Sequence, residues 1–254
     1  MPRLIGDDMN LKLMTYNIQS GYPLGRATAK TDVSGAAEVI RASGAEIIGL
    51  NEVHGCGKPD TLFPFAQAER IASSLGYHCF FGRSIMEHGC DPYGNAIISK
   101  YPIVEAKVIR IPEPENKENC RHYEARTICR CVIEIPDGEG GFKYLAVYSS
   151  HYGLSAPEHA CAVKTTLETI AKEKLPYVFM GDLNMQPDNP IIAPLFDAMR
   201  DTEHLLEEKL TFPSDVPNCK IDYLFTSDGI GHISAEVLNT LASDHRPIVC
   251  DVEI

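Results

Sequence analysis

Polar residues of the types that bind metal ions and activate water stand at the ends of short apolar segments along this chain. They are four carboxylates, two amides and two histidines: Glu52, Asp182, Asp222, Asp244, Asn17, Asn184, His151 and His245. Each lies at, or directly after, the end of a predicted strand, where side chains leave a sheet at its edge. Side chains at such positions can meet in one cleft. We therefore expect folding to bring these distant residues into a single site.

The oxygen-rich part of this set suits a hard divalent cation. Carboxylate and amide oxygens are preferred by Mg²⁺ or Mn²⁺, whereas zinc takes more nitrogen and sulfur. Magnesium commonly binds one or two carboxylates and leaves its other positions to water and phosphate oxygens. The remaining carboxylates and the histidines would then be free to move protons and contact phosphate. Hydrolysis of a phosphate ester needs these groups, together with a positioned water.

Taken singly, several of these residues have ordinary structural explanations. Asn17 could cap a turn, and Glu52 could be a solvated residue beyond a strand. Asp182 and Asn184 could bond to the backbone of their own loop. Asp222 is harder to explain in this way, because it lies in the apolar segment KIDYLF and a buried carboxylate requires a partner.

The elements that must position these residues mix strands and helices in both halves of the chain. Apolar alternation and turn residues predict strands at 11–18, 46–50, 77–81, 95–99, 104–111, 125–135, 144–149, 177–180, 221–225 and 248–254, and helices at 36–42, 65–75, 158–172 and 190–199. Strict alternation of strand and helix is absent, which favours a two-sheet sandwich with outer helices over a doubly wound sheet. We expect one domain, 1–254, in which residues 1–10 form a short N-terminal extension.

Composition and charge narrow the possible partners. The chain has 254 residues, of which 44% are hydrophobic and 23% charged, as in an ordinary globular protein. Its formal charge of −12 disfavours a surface built to bind the nucleic-acid backbone, although nucleic acid stays possible as a substrate.

Cysteine usage and the N-terminal residues indicate the compartment. The nine cysteines form no paired Cys-x-x-Cys elements, so reduced thiols are expected rather than a zinc site or a disulfide framework. Asp7 and Asp8 stand where a signal peptide would need an apolar run. No segment has the length of a membrane span. We expect a cytoplasmic protein.

Seven short segments, taken in order, resemble the signature segments of the endonuclease/exonuclease/phosphatase superfamily, the DNase I-like metal-dependent phosphoesterases. They are TYNI around Asn17, GLNEV around Glu52, YGNAIISKYPI from Tyr93, SSHYG around His151, GDLNMQP around Asp182, KIDYLF around Asp222 and SDHRPI around Asp244. Each segment alone is a weak signal. Their order over residues 11–247 makes the resemblance specific.

The resemblance implies a four-layer α/β-sandwich, with two central, mostly antiparallel sheets flanked by helices and the site at one edge. It also implies that Asn17 and Glu52 bind the metal ion, with Asp244 as a possible further ligand. Asp182 would orient or deprotonate the attacking water, or would bind a second metal ion.

The resemblance implies phosphate contacts as well. Asn184 would hold a phosphoryl oxygen, and His245, oriented by Asp222, would contact the phosphate. His151 would be a second phosphate contact or a general acid. Two weaker candidates for substrate binding are Arg126 and Asn95, for which a surface cation and a structural turn residue are equally good explanations.

The substrate class is narrowed by what the sequence lacks. The chain has no tryptophan, and its KIDYLF segment departs from the Trp-Cys-Asp-Arg segment of inositol-polyphosphate 5-phosphatases. A phosphodiesterase or phosphatase acting on a small-molecule or lipid-linked substrate is therefore expected. The alternative is an endonuclease or exonuclease acting on DNA or RNA. A catalytically silent binding module is less favoured, because no residue of the set is missing. The sequence makes no prediction of oligomeric state. The set of candidate ligands is compatible with one metal ion or with two.

Overall fold

A computed structural model describes residues 9–24, 31–58, 63–117, 120 and 123–254. Most of the expected N-terminal extension, residues 1–8, lies outside these ranges, and residue 10 already belongs to the first strand. The strands are β1 (Asn10–Asn17), β2 (Ile47–His54), β3 (His78–Glu87), β4 (Asp91–Ser99), β5 (Ile103–Arg110), β6 (Thr127–Pro136), β7 (Phe142–Ser150), β8 (Tyr177–Asp182), β9 (Arg200–Asp201), β10 (Asp222–Thr226), β11 (Gly231–Val237) and β12 (Ile248–Glu253). The α-helices are α1 (Ser34–Ser43), α2 (Gln67–Leu75), α3 (Ala156–Ile170) and α4 (Ala193–Ala198). No helix within the described ranges is both long enough and apolar enough to cross a bilayer.

The strands form two six-stranded sheets. The first sheet has the order β11-β12-β1-β2-β4-β3, and the second has the order β5-β6-β7-β8-β10-β9. Within the described part of the chain, only β1–β2 and β7–β8 pair in parallel. The predicted pair of mostly antiparallel sheets is therefore confirmed.

Alternation along each strand separates three apolar layers. In β1, Leu13 packs between the two sheets, whereas Met14 packs on the side of α1 and α2. In β10, Leu224 faces the first sheet and Phe225 packs on the side of α3 and α4. Because successive side chains of a strand point to opposite faces, each sheet buries one face against the other sheet and one against helices. The four-layer sandwich that the sequence predicts is confirmed.

The layer between the sheets changes from apolar to polar at one edge. On β1 the inner face runs from Leu13 to Asn17, and on β8 it runs from Met180 to Asp182. All four side chains are buried. Buried polar groups are costly unless they are paired, so this edge must contain partners for them.

Two strands and several element ends differ from the sequence prediction. The edge strands β9 and β11 were not predicted, because β9 has only two residues and the outward positions of β11 are polar and exposed. Strand β3 continues to residue 87 because it pairs with β4 along its whole length. Helix α4 is shorter than the expected 190–199, since residues 189–192 form turns instead.

Candidate active site

Glu52 is positioned by a bulge in β2. The pairing of β2 with β4 shifts register between Leu50 and Val53, and Glu52 has a φ of 56°. Leu50 and Val53 both pack toward α1 and α2, although their spacing would place them on opposite faces of a regular strand. The bulge supplies the extra residue, so Asn51 and Glu52 can both point away from the helices. A positive φ is uncommon for a residue with a side chain and often marks a functional site.

Asn17 connects carboxylates that come from the two different sheets. Its Nδ2 lies 3.0 Å from Glu52 Oε1 and 3.0 Å from Asp182 Oδ2. Its Oδ1 accepts the backbone N–H of Gln19 at 3.0 Å. Ligation of a metal by Asn17 would require a half-turn of this amide, which would present Oδ1 to the pocket.

Asp182 ends β8 at a point where that strand lies close to β7. Gly181 precedes it with a φ of 149°, and a Cβ there would overlap the carbonyl oxygen of Ser150. A glycine is therefore required to bring Asp182 to this edge. Burial raises the pKa of Asp182, and the nearby His245 opposes that rise. A carboxylate with a raised pKa is suited to accept a proton.

His245 and Asp222 form a buried hydrogen-bonded pair. His245 Nδ1 lies 2.9 Å from Asp222 Oδ2, and His245 Nε2 lies 3.6 Å from Asp182 Oδ2. Burial disfavours the imidazolium, but the charges of Asp222 and Asp182 outweigh it and raise the pKa of His245. The raised pKa favours the cationic form of the ring, and its second nitrogen, Nε2, faces Asp182.

His151 has the opposite electrostatic environment. Burial, followed by the charges of Arg126 and His245, places the pKa of His151 well below its usual value. Arg126 Nη1 lies 3.0 Å from His151 Nδ1. A guanidinium can only donate, so Nδ1 accepts from Arg126 and the proton lies on Nε2, where it faces Asn184 Nδ2 at 3.0 Å as donor against donor. His151 Nε2 is also 3.5 Å from Asp182 Oδ2. His151 thus presents a neutral N–H donor to the pocket.

Asn184 follows Asp182 in a tight turn. Its φ is 50°, a conformation that asparagine adopts more readily than most residues. Its backbone N–H donates to Asp182 Oδ1 at 2.9 Å, and its Nδ2 donates to the carbonyl of Tyr152 at 3.1 Å. Asn184 Nδ2 also lies 3.0 Å from His151 Nε2. The turn therefore places the Asn184 side chain beside both Asp182 and His151.

Asp244 lies at the more exposed side of the site. Its Oδ1 accepts a hydrogen bond from Ser243 Oγ at 3.3 Å. Burial raises the pKa of Asp244, and the charge of Asp244 contributes to a raised pKa of Glu52, whose main cause is also burial. The two carboxylates are close enough to repel each other.

Asn95 lies one hydrogen bond behind the pocket. Its Oδ1 accepts from Asn51 Nδ2 at 2.9 Å, and its Nδ2 donates to the carbonyl of Thr127 at 3.0 Å. Both polar groups of Asn95 are therefore used inside the protein. Asn51, in turn, accepts the backbone N–H of Asp182 at 2.9 Å. Sequence analysis did not single out Asn51, although it is a polar residue in an otherwise apolar strand directly before Glu52.

The donor set fits a divalent cation. Four carboxylates lie at the site, and the cationic side chains beside them are those of His245 and Arg126. The carboxylates are Glu52, Asp182, Asp222 and Asp244. Asp222 Oδ1 is buried without a hydrogen-bond partner, and burial, together with the charge of Asp244, raises the pKa of Glu52. Ligand atoms of Asp182, Asp222 and His245 also lie within 4.8 Å of one another. Because His245 Nδ1 is already bonded to Asp222, the oxygens of Glu52 and its neighbours are the better ligands for a hard metal ion.

Comparisons with known proteins agree with this architecture. The model of the Endonuclease/Exonuclease/phosphatase family matches residues 14–245. An endonuclease/exonuclease/phosphatase from Beutenbergia cavernae is 24% identical with a TM-score of 0.72, and the match covers 96% of this chain and 72% of that one. A Bacteroides thetaiotaomicron family protein is 16% identical with a TM-score of 0.75, covering 97% of this chain and 98% of that one.

A third similar structure is a Bacteroides thetaiotaomicron mannosyl-6-phosphatase, 16% identical with a TM-score of 0.73, covering 95% of this chain and 99% of that one. These likenesses show a shared fold. No curated protein matches the sequence.

Proposed function

Because this chain belongs to the Endonuclease/Exonuclease/phosphatase family and is a phosphoester hydrolase, we propose that it uses a divalent metal ion to hydrolyse a small-molecule or lipid-linked phosphate ester. The observation that carries the proposal is the bridge made by Asn17, whose Nδ2 lies 3.0 Å from both Glu52 and Asp182. It brings a metal-ligand candidate and a proton acceptor into one pocket. The site draws on both sheets, so we also propose that residues 1–254 act as one domain.

Glu52 would hold the metal ion, with Asp244 as a further oxygen ligand. Asn17 would join them through Oδ1 after a half-turn of its amide, which exchanges its Nδ2 bonds to Glu52 and Asp182 for contact with the metal. The donor set suits Mg²⁺ or Mn²⁺. Such an ion, when bound, stabilises negative charge on the phosphoryl oxygens. Two carboxylates and one amide would leave space in its coordination shell for water and substrate, as is usual for magnesium.

Asp182 would take a proton from the attacking water as that water's oxygen bonds to phosphorus and the ester P–O bond breaks. Its raised pKa favours this role, because a stronger base accepts a proton more readily. The raised pKa of His245 favours its cationic form, which would stabilise the phosphoryl group or give its proton to the leaving oxygen. His151 and Asn184 would donate neutral N–H bonds to phosphoryl oxygens, and Arg126 would add positive charge.

The surroundings of Arg126 favour a small substrate over a polyanion. Glu124 Oε1 lies 2.8 Å from Arg126 Nη1. Burial raises the pKa of Glu124, and the charge of Arg126 opposes that rise. The charges of Glu87, Glu52 and Glu158 raise the pKa further. Carboxylates beside the pocket would repel a nucleic-acid backbone, and the net charge of −12 adds to this effect.

A chromogenic bis-aryl phosphodiester and an aryl phosphomonoester, each with magnesium, test the proposal. We expect hydrolysis of at least one, abolished by a chelator and by Asp182→Ala or His245→Ala. Glu105→Gln is a suitable control, because Glu105 lies on an exposed strand and pairs with Arg130 rather than with the site. A comparison of plasmid DNA, an abasic duplex, an inositol phosphate and a phospholipid would then define the substrate. Preferential cleavage of either DNA would contradict the small-substrate proposal.

A further inference from the structure

Three consecutive hydrogen bonds lie behind the site; the first and third cross between the two sheets, and the second lies within the first sheet. Asp182 N–H on β8 donates to Asn51 Oδ1 on β2 at 2.9 Å, and Asn51 Nδ2 donates to Asn95 Oδ1 on β4 at 2.9 Å. Asn95 Nδ2 then donates to the carbonyl of Thr127 on β6 at 3.0 Å. We call Asn51 and Asn95 the amide pair. We propose that the amide pair positions Asp182 for catalysis, an inference that rests on the proposed function.

The orientation of both amides is determined from the two ends. Asp182 N–H can only donate, so the atom of Asn51 that faces it must be the oxygen. The Thr127 carbonyl can only accept, so the atom of Asn95 that faces it must be the nitrogen. The hydrogen bond between the two amides must then run from Asn51 Nδ2, as donor, to Asn95 Oδ1, as acceptor. No other orientation of the amide pair leaves every contact a hydrogen bond.

The amide pair is fully enclosed. Asn51 is 0% and Asn95 is 1% exposed, so water cannot replace a lost bond. The parallel pairing of β7 with β8 ends at Ser149 and Met180. Beyond it, the chain that follows β7 bonds the carbonyl of Asp182, which accepts from Tyr152 N–H at 3.0 Å. The N–H of Asp182 donates instead to Asn51 Oδ1. Removing it would leave a buried N–H without its partner, which is costly.

The side chain of Asp182 depends on this backbone contact. Its Oδ1 accepts the N–H of Asn184, while its Oδ2 faces Asn17 and His245. If the backbone at Asp182 turns, both oxygens move relative to their partners. Displacements of about 1 Å can reduce the rate of a positioned reaction by about 100-fold. The amide pair therefore acts through Asp182 and has no atom free to touch substrate.

A kinetic comparison separates positioning from general stabilisation. Ser149→Ala is the matched control, because Ser149 is also 0% exposed and its Oγ donates across the sheets to the carbonyl of Leu50 at 3.4 Å. We expect Asn51→Ala and Asn95→Ala to lower kcat by about 10- to 100-fold with little change in KM. We expect Ser149→Ala to lower thermal stability but to keep kcat. Equal kcat values in Asn51→Ala and Ser149→Ala would overturn the proposal.

Amide hydrogen exchange measured by NMR tests the bond without any substrate. Exchange of Asp182 N–H should be slow in the wild-type protein and at least about 10-fold faster in Asn51→Ala, but unchanged in Ser149→Ala. Unchanged exchange in Asn51→Ala would overturn the inference, as would faster exchange with an unchanged kcat. An inactive wild-type protein would instead remove the proposed function, while the exchange rate would still decide whether Asn51 holds the Asp182 backbone.

Discussion

His245 Nδ1 lies 2.9 Å from Asp222 Oδ2, and both side chains are almost completely buried. The bond fixes the ring so that Nε2 faces Asp182. It also supplies the negative charge that favours the imidazolium. Asp222 thus contributes through His245 rather than through a contact of its own with the phosphate.

Asp222→Asn should reduce kcat/KM by about 100-fold or more, because the ring loses both its orientation and its stabilising charge. His245→Gln should cause a loss of at least that size. Residues that act as one unit give non-additive losses, so the double variant should be no slower than His245→Gln alone. Losses that multiply in the double variant would show that the two residues act independently. Steady-state kinetics of the four proteins is the measurement.

Arg126→Lys should lower kcat/KM by about 10- to 100-fold, the effect expected for loss of a hydrogen bond to a charged group. A lysine keeps the charge but lacks the planar guanidinium, whose Nη1 contacts both His151 and Glu124. Arg83→Lys is a matched control on an exposed position of β3 and should keep wild-type kinetics. Wild-type activity in Arg126→Lys would show that the fixed His151 tautomer is unimportant.

Gly181→Ala should destabilise the protein and abolish most activity. An alanine there has an unfavourable φ and also overlaps the Ser150 carbonyl oxygen, which belongs to the backbone and cannot turn aside. Gly44→Ala separates the two effects, because Gly44 has a φ of 70° but open space around a new Cβ. We expect about 1 kcal/mol of destabilisation for Gly44→Ala and clearly more for Gly181→Ala. Urea unfolding measures both, and equal values would argue against the overlap.

Glu173→Gln should destabilise the protein at neutral pH but much less in acid. Glu173 Oε2 accepts from Tyr148 Oη at 2.6 Å and from Arg130 Nε at 2.8 Å. Burial raises its pKa, but these bonds outweigh burial and lower the pKa of Glu173 from 4.5 to about 2. A lowered pKa gives stability that is complete above about pH 4.5 and is lost as the pH falls through about 2.

Unfolding by urea at pH 7 and at pH 3 tests this dependence. The difference between wild type and Glu173→Gln should shrink at pH 3, while activity at pH 7 should stay near wild type because Glu173 lies on the helix side of the second sheet. Glu105→Gln removes the more exposed partner of Arg130. Its free energy of unfolding should differ less from that of the wild type at both pH 7 and pH 3. A difference that stays constant with pH would contradict the assignment.

The layers of the fold follow from sequence alternation alone. In β10, Asp222 and Leu224 share the inner face while Tyr223 and Phe225 share the outer face. This pattern is visible in KIDYLF without any structure. It also places the carboxylate on the side of the partner sheet, where a buried charge must find a partner. The gathering of polar residues at one edge was therefore predictable.

Details that depend on strand pairing were not predictable. Alternation shows which face a residue takes, but it cannot show that β2 contains an extra residue until the register with β4 is known. The role of Glu52 was inferred from its motif, whereas its positive φ and the inward turn of Asn51 come from the bulge. The Arg126 contact that sets the proton on His151 likewise depends on how β6 and β7 lie side by side.

Metal binding by Glu52 tests the central claim most directly. Mn²⁺ or Mg²⁺ affinity of the wild type and of Glu52→Gln can be measured by titration calorimetry, in parallel with phosphodiester hydrolysis before and after chelation. We predict that the wild type binds the ion, that chelation abolishes hydrolysis and added Mg²⁺ restores it, and that Glu52→Gln binds at least about 10-fold more weakly. Equal affinity in the two proteins, or hydrolysis that persists in the chelator, would contradict the account.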